Sequence, residues 1–447
     1  MHIGSRSSTG PGVPKRFPCS GKTPSVLVAF LALMVSTAAG AAEASLEERV
    51  RALEAAYQQL LKENAELRAM LGARGARASV PEASSQPVQS GTNGKDTITP
   101  IEGEVAASEL SRLSVGGDFR LRYEYNAGVG NTAVRDRGVL RARLGATYRA
   151  SDRLTLGARL ATGDPDDPNS TDITLADFVD DLSASLDLAY ARLQLGALEV
   201  TGGKFPNPFL RSELVWDGDV NPQGLTFTYR LPAAGGISPR LTAIHFLVEE
   251  QAGSSGSAMN GLQLGFARAG MGPWSFDAAV AYYDYELDSL VGAGPGDLRS
   301  NLLTPDGTAY LSDFDLLDTV VAVTYAPVGT RWPVCGTLDL VRNLGAATAA
   351  DTGYGIDLAF GKIANAGDVR FTYGYAVVET DAVLAAFSHD NTTLATNYRQ
   401  YTLAIDYLLT PNIVLNGTWY RYREKERRNP ALDGWLDRVR LNFMVQF

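Results

Sequence analysis

The chain is poor in the residues on which several protein classes depend. Two cysteines in 447 residues exclude a disulfide scaffold, and three histidines leave little from which to build a catalytic base. No uninterrupted apolar run reaches the roughly 20 residues that a membrane-spanning helix needs, so a helical membrane bundle is excluded as well. Positive charge is the minority sign: 40 Lys and Arg stand against 50 Asp and Glu, a formal net charge of −10, which argues against a general nucleic-acid binder. What is plentiful is 45 Gly and 19 Tyr at a mean hydropathy of −0.08, a combination suited to a large all-β protein with many turns and amphipathic rings.

The N-terminus reads as an export signal. Arg6, Lys15, Arg16 and Lys22 precede an apolar run from Ser25 to Val35, and small residues follow, with Ala39-Gly40-Ala41 as the cleavage site. Removal of residues 1–41 takes away four bases and no acid, so the mature charge is −10 − 4 = −14. Cys19 leaves with the signal, and Cys335 then has no intrachain partner. From 43 to 71 a heptad places Leu46, Leu53, Leu60 and Leu67 at d and Val50, Tyr57, Asn64 and Leu71 at a, which predicts an oligomerising periplasmic coiled coil. Asn64 sets its register without choosing between dimer and trimer. Residues 72–110 are Gly-, Ala-, Ser- and Pro-rich and aperiodic, a flexible linker.

From 111 to 447 the pattern has period two. In its first segment Leu113, Val115, Phe119, Leu121, Tyr123 and Tyr125 alternate with Ser114, Gly116, Asp118, Arg120, Arg122 and Glu124. Sixteen such segments run at 111–125, 137–149, 153–161, 186–196, 198–203, 222–230, 239–249, 260–268, 274–285, 315–326, 334–342, 353–363, 367–378, 398–409, 412–423 and 437–447. Their connections alternate short and long, with both ends of the series on the short side. An even strand number with this two-beat rhythm predicts a 16-stranded antiparallel transmembrane β-barrel preceded by a short N-terminal coiled-coil helix. Aromatics gather near segment ends: Tyr123, Tyr125, Tyr282, Tyr283, Tyr285, Tyr398, Tyr401, Trp419, Tyr420 and Tyr422 towards the long loops, and Tyr148, Trp274, Tyr325, Tyr407, Phe443 and Phe447 towards the short turns. Two belts of this kind suit the two membrane interfaces.

A barrel this wide is not filled by wall side chains, so a water-filled lumen follows. With the apolar parity towards lipid, the inward parity is basic across neighbouring strands: Arg120 and Arg122, Arg141 and Arg143, Arg153 and Arg159, Arg192, and Arg438 and Arg440 over the closing seam. Loop 204–221 is apolar for an exposed segment. Folding it inward would bury Phe205, Phe209, Leu214 and Trp216 and set Glu213, Asp217 and Asp219 opposite the arginines, giving a transverse field at a constriction. Lys204, Pro206, Asn207, Pro208 and Arg211 complete that loop. Loop 162–185 carries Asp164, Asp166, Asp167, Asp172, Asp177, Asp180 and Asp181 without a Lys or Arg and reads as an acidic mouth; its spacing is not that of an EF-hand, and whether it takes divalent ions is left open.

The signal, the heptads and Gly202-Gly203-Lys204-Phe205-Pro206-Asn207-Pro208-Phe209, followed by Trp216-Asp217-Gly218-Asp219 and Gly224, resemble the putative porins of Gram-negative outer membranes, distant relatives of phosphate-selective porins. Phe443, Val445 and Phe447 are similar to the C-terminal signal that the outer-membrane assembly machinery reads. The resemblance implies a trimeric homo-oligomer in the outer membrane, among lipid and lipopolysaccharide, with no cofactor. The constriction loop departs from the lysine-rich one of phosphate-selective relatives, with only Lys204 and Arg211 against three acids, which argues against phosphate specificity. The function expected is a passive channel for small hydrophilic solutes or ions. The alternative is a structural barrel tethered to the cell wall by its coiled coil. An enzyme is not expected, since the mature chain keeps only His245 and His389.

Overall fold

The computed structural model describes residues 112–127, 134–175, 181–250, 256–287, 290, 298, 300–432 and 434–447. The signal 1–41, the coiled coil 43–71 and the linker 72–110 lie outside the described residues.

Seventeen strands form one sheet: β1 (Leu113–Ala127), β2 (Arg135–Arg149), β3 (Leu154–Thr162), β4 (Ile173–Thr174), β5 (Ala184–Leu195), β6 (Leu198–Lys204), β7 (Gln223–Arg230), β8 (Ile237–Glu249), β9 (Ser257–Met271), β10 (Trp274–Glu286), β11 (Phe314–Tyr325), β12 (Val334–Asn343), β13 (Thr352–Gly361), β14 (Val369–Val378), β15 (Tyr398–Thr410), β16 (Ile413–Glu424) and β17 (Leu436–Gln446). Sixteen make a closed antiparallel ring, because β1 pairs with both β2 and β17. The two-residue β4 is extra. It folds back from the acidic loop onto Val139 and Leu140 of β2, and the sequence reading missed it because two residues carry no periodicity. All sixteen expected segments are found, with ends displaced by three residues or fewer.

Closure depends on close approach at the seam. Gly117 and Phe447 exchange backbone hydrogen bonds of 2.9 and 3.1 Å. A Cβ on Gly117 would lie 2.2 Å from the Arg143 carbonyl oxygen and 2.8 Å from the Phe447 ring, so only glycine fits there.

Burial is inverted relative to a soluble sandwich. Leu160, Leu186, Leu262 and Leu441 are 50–58% exposed on the outer face, where a band of Leu, Val, Ile and aromatic residues covers the wall. In water such a surface would be costly; in lipid it is the matching solvent. Trp274, Tyr325, Tyr407, Phe443 and Phe447 are exposed at the short-turn end, and Trp332 joins them, stacked on Phe371 at 6.3 Å. At the other end Tyr123, Tyr125 and Tyr282 face outward, whereas Tyr283, Tyr285, Tyr398 and Tyr422 are buried inside the ring. Those four, and Tyr420, which packs against the same interior cluster under Arg440, were expected in the belt. Their parity is inward, and an interior apolar cluster takes them up.

Candidate functional site

Among the described residues, two loops fill much of the lumen, and Asn169 and Asp172 reach it from a third. The first, 205–222, joins β6 to β7. Lys204 ends β6, so the inward segment begins one residue later than the sequence suggested. At its base Gly203 and Gly224 face each other across the ladder with φ of +116° and +136°. A Cβ on either would come within 2.2 Å of a neighbouring strand's carbonyl oxygen. These two glycines let both strand ends turn the chain inward. Further in, the Phe209 N–H donates to Asn207 Oδ1 at 3.0 Å, and Gln263 of β9 clamps Leu210 through both its N–H and its carbonyl at 2.8 Å. The Ser212 hydroxyl donates to Asp339. Phe205, Phe209, Leu214 and Trp216 are all buried, and Trp216 is 0% exposed.

The second loop, 379–397, joins β14 to β15. It is nearly all buried, with Asp381, Ala382, Val383 and Ala385 each at 0% exposure. The Phe387 ring stacks on Trp216 at 5.9 Å and 13°. Such a loop has buried backbone groups to satisfy, and asparagines do it. Asn301 donates to the Thr380 and Val383 carbonyls at 2.8 and 3.0 Å and accepts the Ala385 N–H at 2.7 Å. Asn343 donates to the Asp381 carbonyl at 2.7 Å and Asn169 to that of Ser388 at 2.8 Å.

The loops are joined to each other. The Asp217 N–H donates to the Phe387 carbonyl at 2.8 Å, and the Asp390 N–H donates to Asp217 Oδ2 at 3.2 Å. Asn391 Nδ2 donates to Glu213 at 3.2 Å. Burial, reinforced by Glu213 and Asp390, pushes the Asp217 carboxyl up to about 9, and burial raises Glu213 as well. The expectation set Glu213, Asp217 and Asp219 opposite the arginines. Asp219 touches them directly, while Glu213 and Asp217 are engaged by loop 379–397.

The arginines of β1, β2 and β17 form one cluster. Arg120 and Arg122 share Asp172, the latter at 2.8 Å; Arg141 and Arg143 hold Asp118 at 2.9 and 2.7 Å; Arg143 also holds Asp219 at 2.8 Å. Arg440 and Arg137 hold Glu124 at 2.7 and 2.8 Å, with Arg438 at 3.9 Å. Arg438 and Arg440 both reach Asn391, through its carbonyl at 2.9 Å and its side chain at 2.8 Å. Seven arginines thus meet four carboxylates, 7 − 4 = +3. The sequence placed Asp219 opposite the wall but missed Arg137 and the pairing of Asp118, Glu124 and Asp172 with the arginines. Asp172 comes from the loop read as an acidic mouth; burial would raise its carboxyl, but Arg122 and Arg120 outweigh this and hold it below its usual value. Arg159 pairs with Asp187 next to the cluster. Two predicted members stand apart. Arg153 sits exposed in the turn before β3, and Arg192 faces Glu199 at 3.5 Å and the Tyr190 ring at 5.3 Å. β5 carries a bulge at Asp187, opposite Arg159 and Leu160.

Across the ring, β11, β12 and β13 supply Asp318, Asp339 and Asp357, and the acids of loop 205–222 lie between these and the arginines. A cavity of about 190 Å³ lies under the loops between Glu213, Asp339, Asp357 and Tyr398, and one of about 450 Å³ lies at the long-loop side between Asp164, Asp219 and Phe387. His389, flanked in sequence by Ser388 and Asp390, accepts the Asn391 N–H at 3.2 Å, while Ser388 donates to the Ala385 and Ala395 carbonyls.

This arrangement, a closed sixteen-stranded ring with a loop bent into it, can be set beside known proteins. Residues 122–289 match the putative porin family. Among solved porin structures, OprB of Pseudomonas putida is 13% identical with a TM-score of 0.52, covering 77% of this chain and 97% of OprB. OmpF of Salmonella typhi, solved with daunomycin, is 13% identical with a TM-score of 0.47, covering 75% and 97%. An anion-selective porin from Comamonas acidovorans is 14% identical with a TM-score of 0.44, covering 75% and 99%. At these identities the likeness is one of fold. No curated protein sequence matches the chain.

Proposed function

We propose that the protein is an outer-membrane porin, a passive water-filled channel for small hydrophilic solutes or ions, narrowed by loops 205–222 and 379–397. The reading rests on the exposed apolar band that turns the barrel inside out and on the family match. The observation that carries it furthest is the contact of Asp219 with Arg141 and Arg143, which pins loop 205–222 across the lumen between a net basic wall and the acids of β11–β13. Charges segregated in this way set up a transverse field. Polar solutes exchange hydration for wall contacts there, while apolar solutes lose water without replacement. Two inward loops rather than one point to a narrow bore and hence to small solutes.

The remaining parts of the proposal follow the sequence. Residues 1–41 are the export signal, 43–71 the periplasmic coiled coil of a trimer, and Phe443, Val445 and Phe447 the segment read by the assembly machinery. Swelling of liposomes containing the refolded mature chain tests the channel: influx should fall steeply with solute size among neutral sugars. Swelling no faster than protein-free liposomes for every sugar would contradict it.

A further inference from the structure

The outer parity carries scattered charge, such as Asp284 opposite Asp315, and one place gathers arginines. On β15 the outer parity is marked by the exposed Leu403 and Ile405, and on β16 by Leu415. Arg399 shares the parity of the first pair and Arg423 that of the last. The two arginines sit directly opposite each other in the ladder, as do Tyr401 and Arg421 beside them. Like charges facing across adjacent strands repel, and a sheet keeps such a pair only when something neutralises it.

Elsewhere the opposed arginines of the ring have a neutralising group. Each inward arginine pair of the lumen has a carboxylate, and Arg421 has Asp437 at 3.6 Å. Among the described residues, Arg399 and Arg423 have no carboxylate within ion-pair distance, and Arg399 Nε lacks a hydrogen-bond partner. Around them lies an aromatic shelf. The guanidinium of Arg423 stands 4.7 Å from the Trp435 ring centre and that of Arg421 at 5.5 Å. Tyr401 is 5.6 Å from Trp435 and 5.0 Å from Tyr375.

The position selects the occupant. This patch lies at the long-loop ends of β15 and β16, where amphipathic rings meet lipid headgroups. Arginine in the hydrocarbon layer is costly, and at the interface it is stable when paired. Two planar guanidinium forks suit the oxygens of a phosphate, which each can hold bidentately. A lipid also lays its chains on the Leu403 and Ile405 surface below, a contact that a dissolved anion cannot make.

We propose that Arg399 and Arg423, with Trp435 and Tyr401 as their shelf, bind the phosphate headgroup of an anionic lipid on the outside of the barrel. The test is native mass spectrometry of the full mature chain, released from micelles doped with lipid A, phosphatidylglycerol or phosphatidylcholine. Lipid A and phosphatidylglycerol should be retained and phosphatidylcholine lost. The Arg399→Gln/Arg423→Gln protein should retain at least about tenfold less of the two anionic lipids, in keeping with the loss of charge-assisted hydrogen bonds. Heat-modifiable mobility reports whether that protein is folded; should it fail to fold, Arg399→Lys/Arg423→Lys keeps the charge, loses the forks, and should show intermediate retention. Arg331→Gln, a change at an exposed arginine away from the patch, should retain lipid like the parent. Equal retention by the folded double variant would overturn the proposal. So would competition by millimolar inorganic phosphate, which would make this a free-anion site, or a shift in subunit number without a change in lipid, which would make it a contact between copies.

Discussion

Replacing Trp216 by alanine removes the ring on which both inward loops converge. That ring is fully buried and lies 5.9 Å from Phe387, 5.5 Å from Tyr283 and 6.4 Å from Phe209. A Trp-to-Ala change in a packed interior costs about 3–5 kcal/mol. The ladder hydrogen bonds of the barrel wall do not depend on this side chain, so the loss falls on docking of loop 205–222. At about 1.4 kcal/mol per tenfold, it multiplies the released population by roughly two to three and a half powers of ten. Release exposes Arg211, whose guanidinium in the docked loop donates to the Trp216 and Gly218 carbonyls at 3.2 and 3.3 Å. Limited trypsin cleavage after Arg211 therefore reads the open population when reclosing is fast relative to cutting. The folded variant should be cut at Arg211 at least about a hundredfold faster than the parent. A rate within a few-fold of the parent, in a barrel that keeps its heat-modifiable mobility, would refute the claim that Trp216 holds the loop.

Asn301→Ala leaves the Thr380 and Val383 carbonyls and the Ala385 N–H without partners. At about 1–3 kcal/mol for each stranded group, loop 379–397 should lose its hydrogen-exchange protection while the strands keep theirs. Glu124→Gln takes one negative charge from the arginine cluster and raises its excess from three to four; the reversal potential under a KCl gradient should move towards anions, and breaking a buried ionic network should lower stability by about 3–5 kcal/mol. The Asp217 carboxyl is raised to about 9 in the folded chain from an ordinary 3.8. Its contribution is complete below the ordinary value, declines as pH rises and is lost as pH passes about 9. Open-channel noise should therefore grow as pH passes that value, and Asp217→Asn, which cannot ionise, should remove the dependence.

The barrel was legible because its solvent is lipid. An outer face that must be apolar and a lumen that must be wet impose strict alternation, and long and short connections mark the two rims. The first inward loop was legible for a related reason: Phe205, Phe209, Leu214 and Trp216 are out of place in an exposed loop. The same reasoning applied to Ala382-Val383-Leu384-Ala385-Ala386-Phe387 would have found the second inward loop, since a six-residue apolar run in a long connection also needs a place to be buried. Parity did not show how far the arginines are neutralised. Asp172 reaches them from a loop whose pairing with the wall has no period in the sequence, whereas Asp219 was expected because its loop is apolar enough to fold inward. The buried fates of Tyr283, Tyr285, Tyr398 and Tyr422 were missed because rings near strand ends were assigned by height along the strand rather than by face.

The central claim is that the lumen conducts past two docked loops. The direct measurement is the current across a planar bilayer after insertion of the refolded mature chain. The account predicts discrete conductance steps, grouped in threes if the heptads assemble a trimer, that grow larger and noisier in Trp216→Ala. A folded, heat-modifiable barrel that inserts without any steps, in the parent and in Trp216→Ala alike, would contradict it.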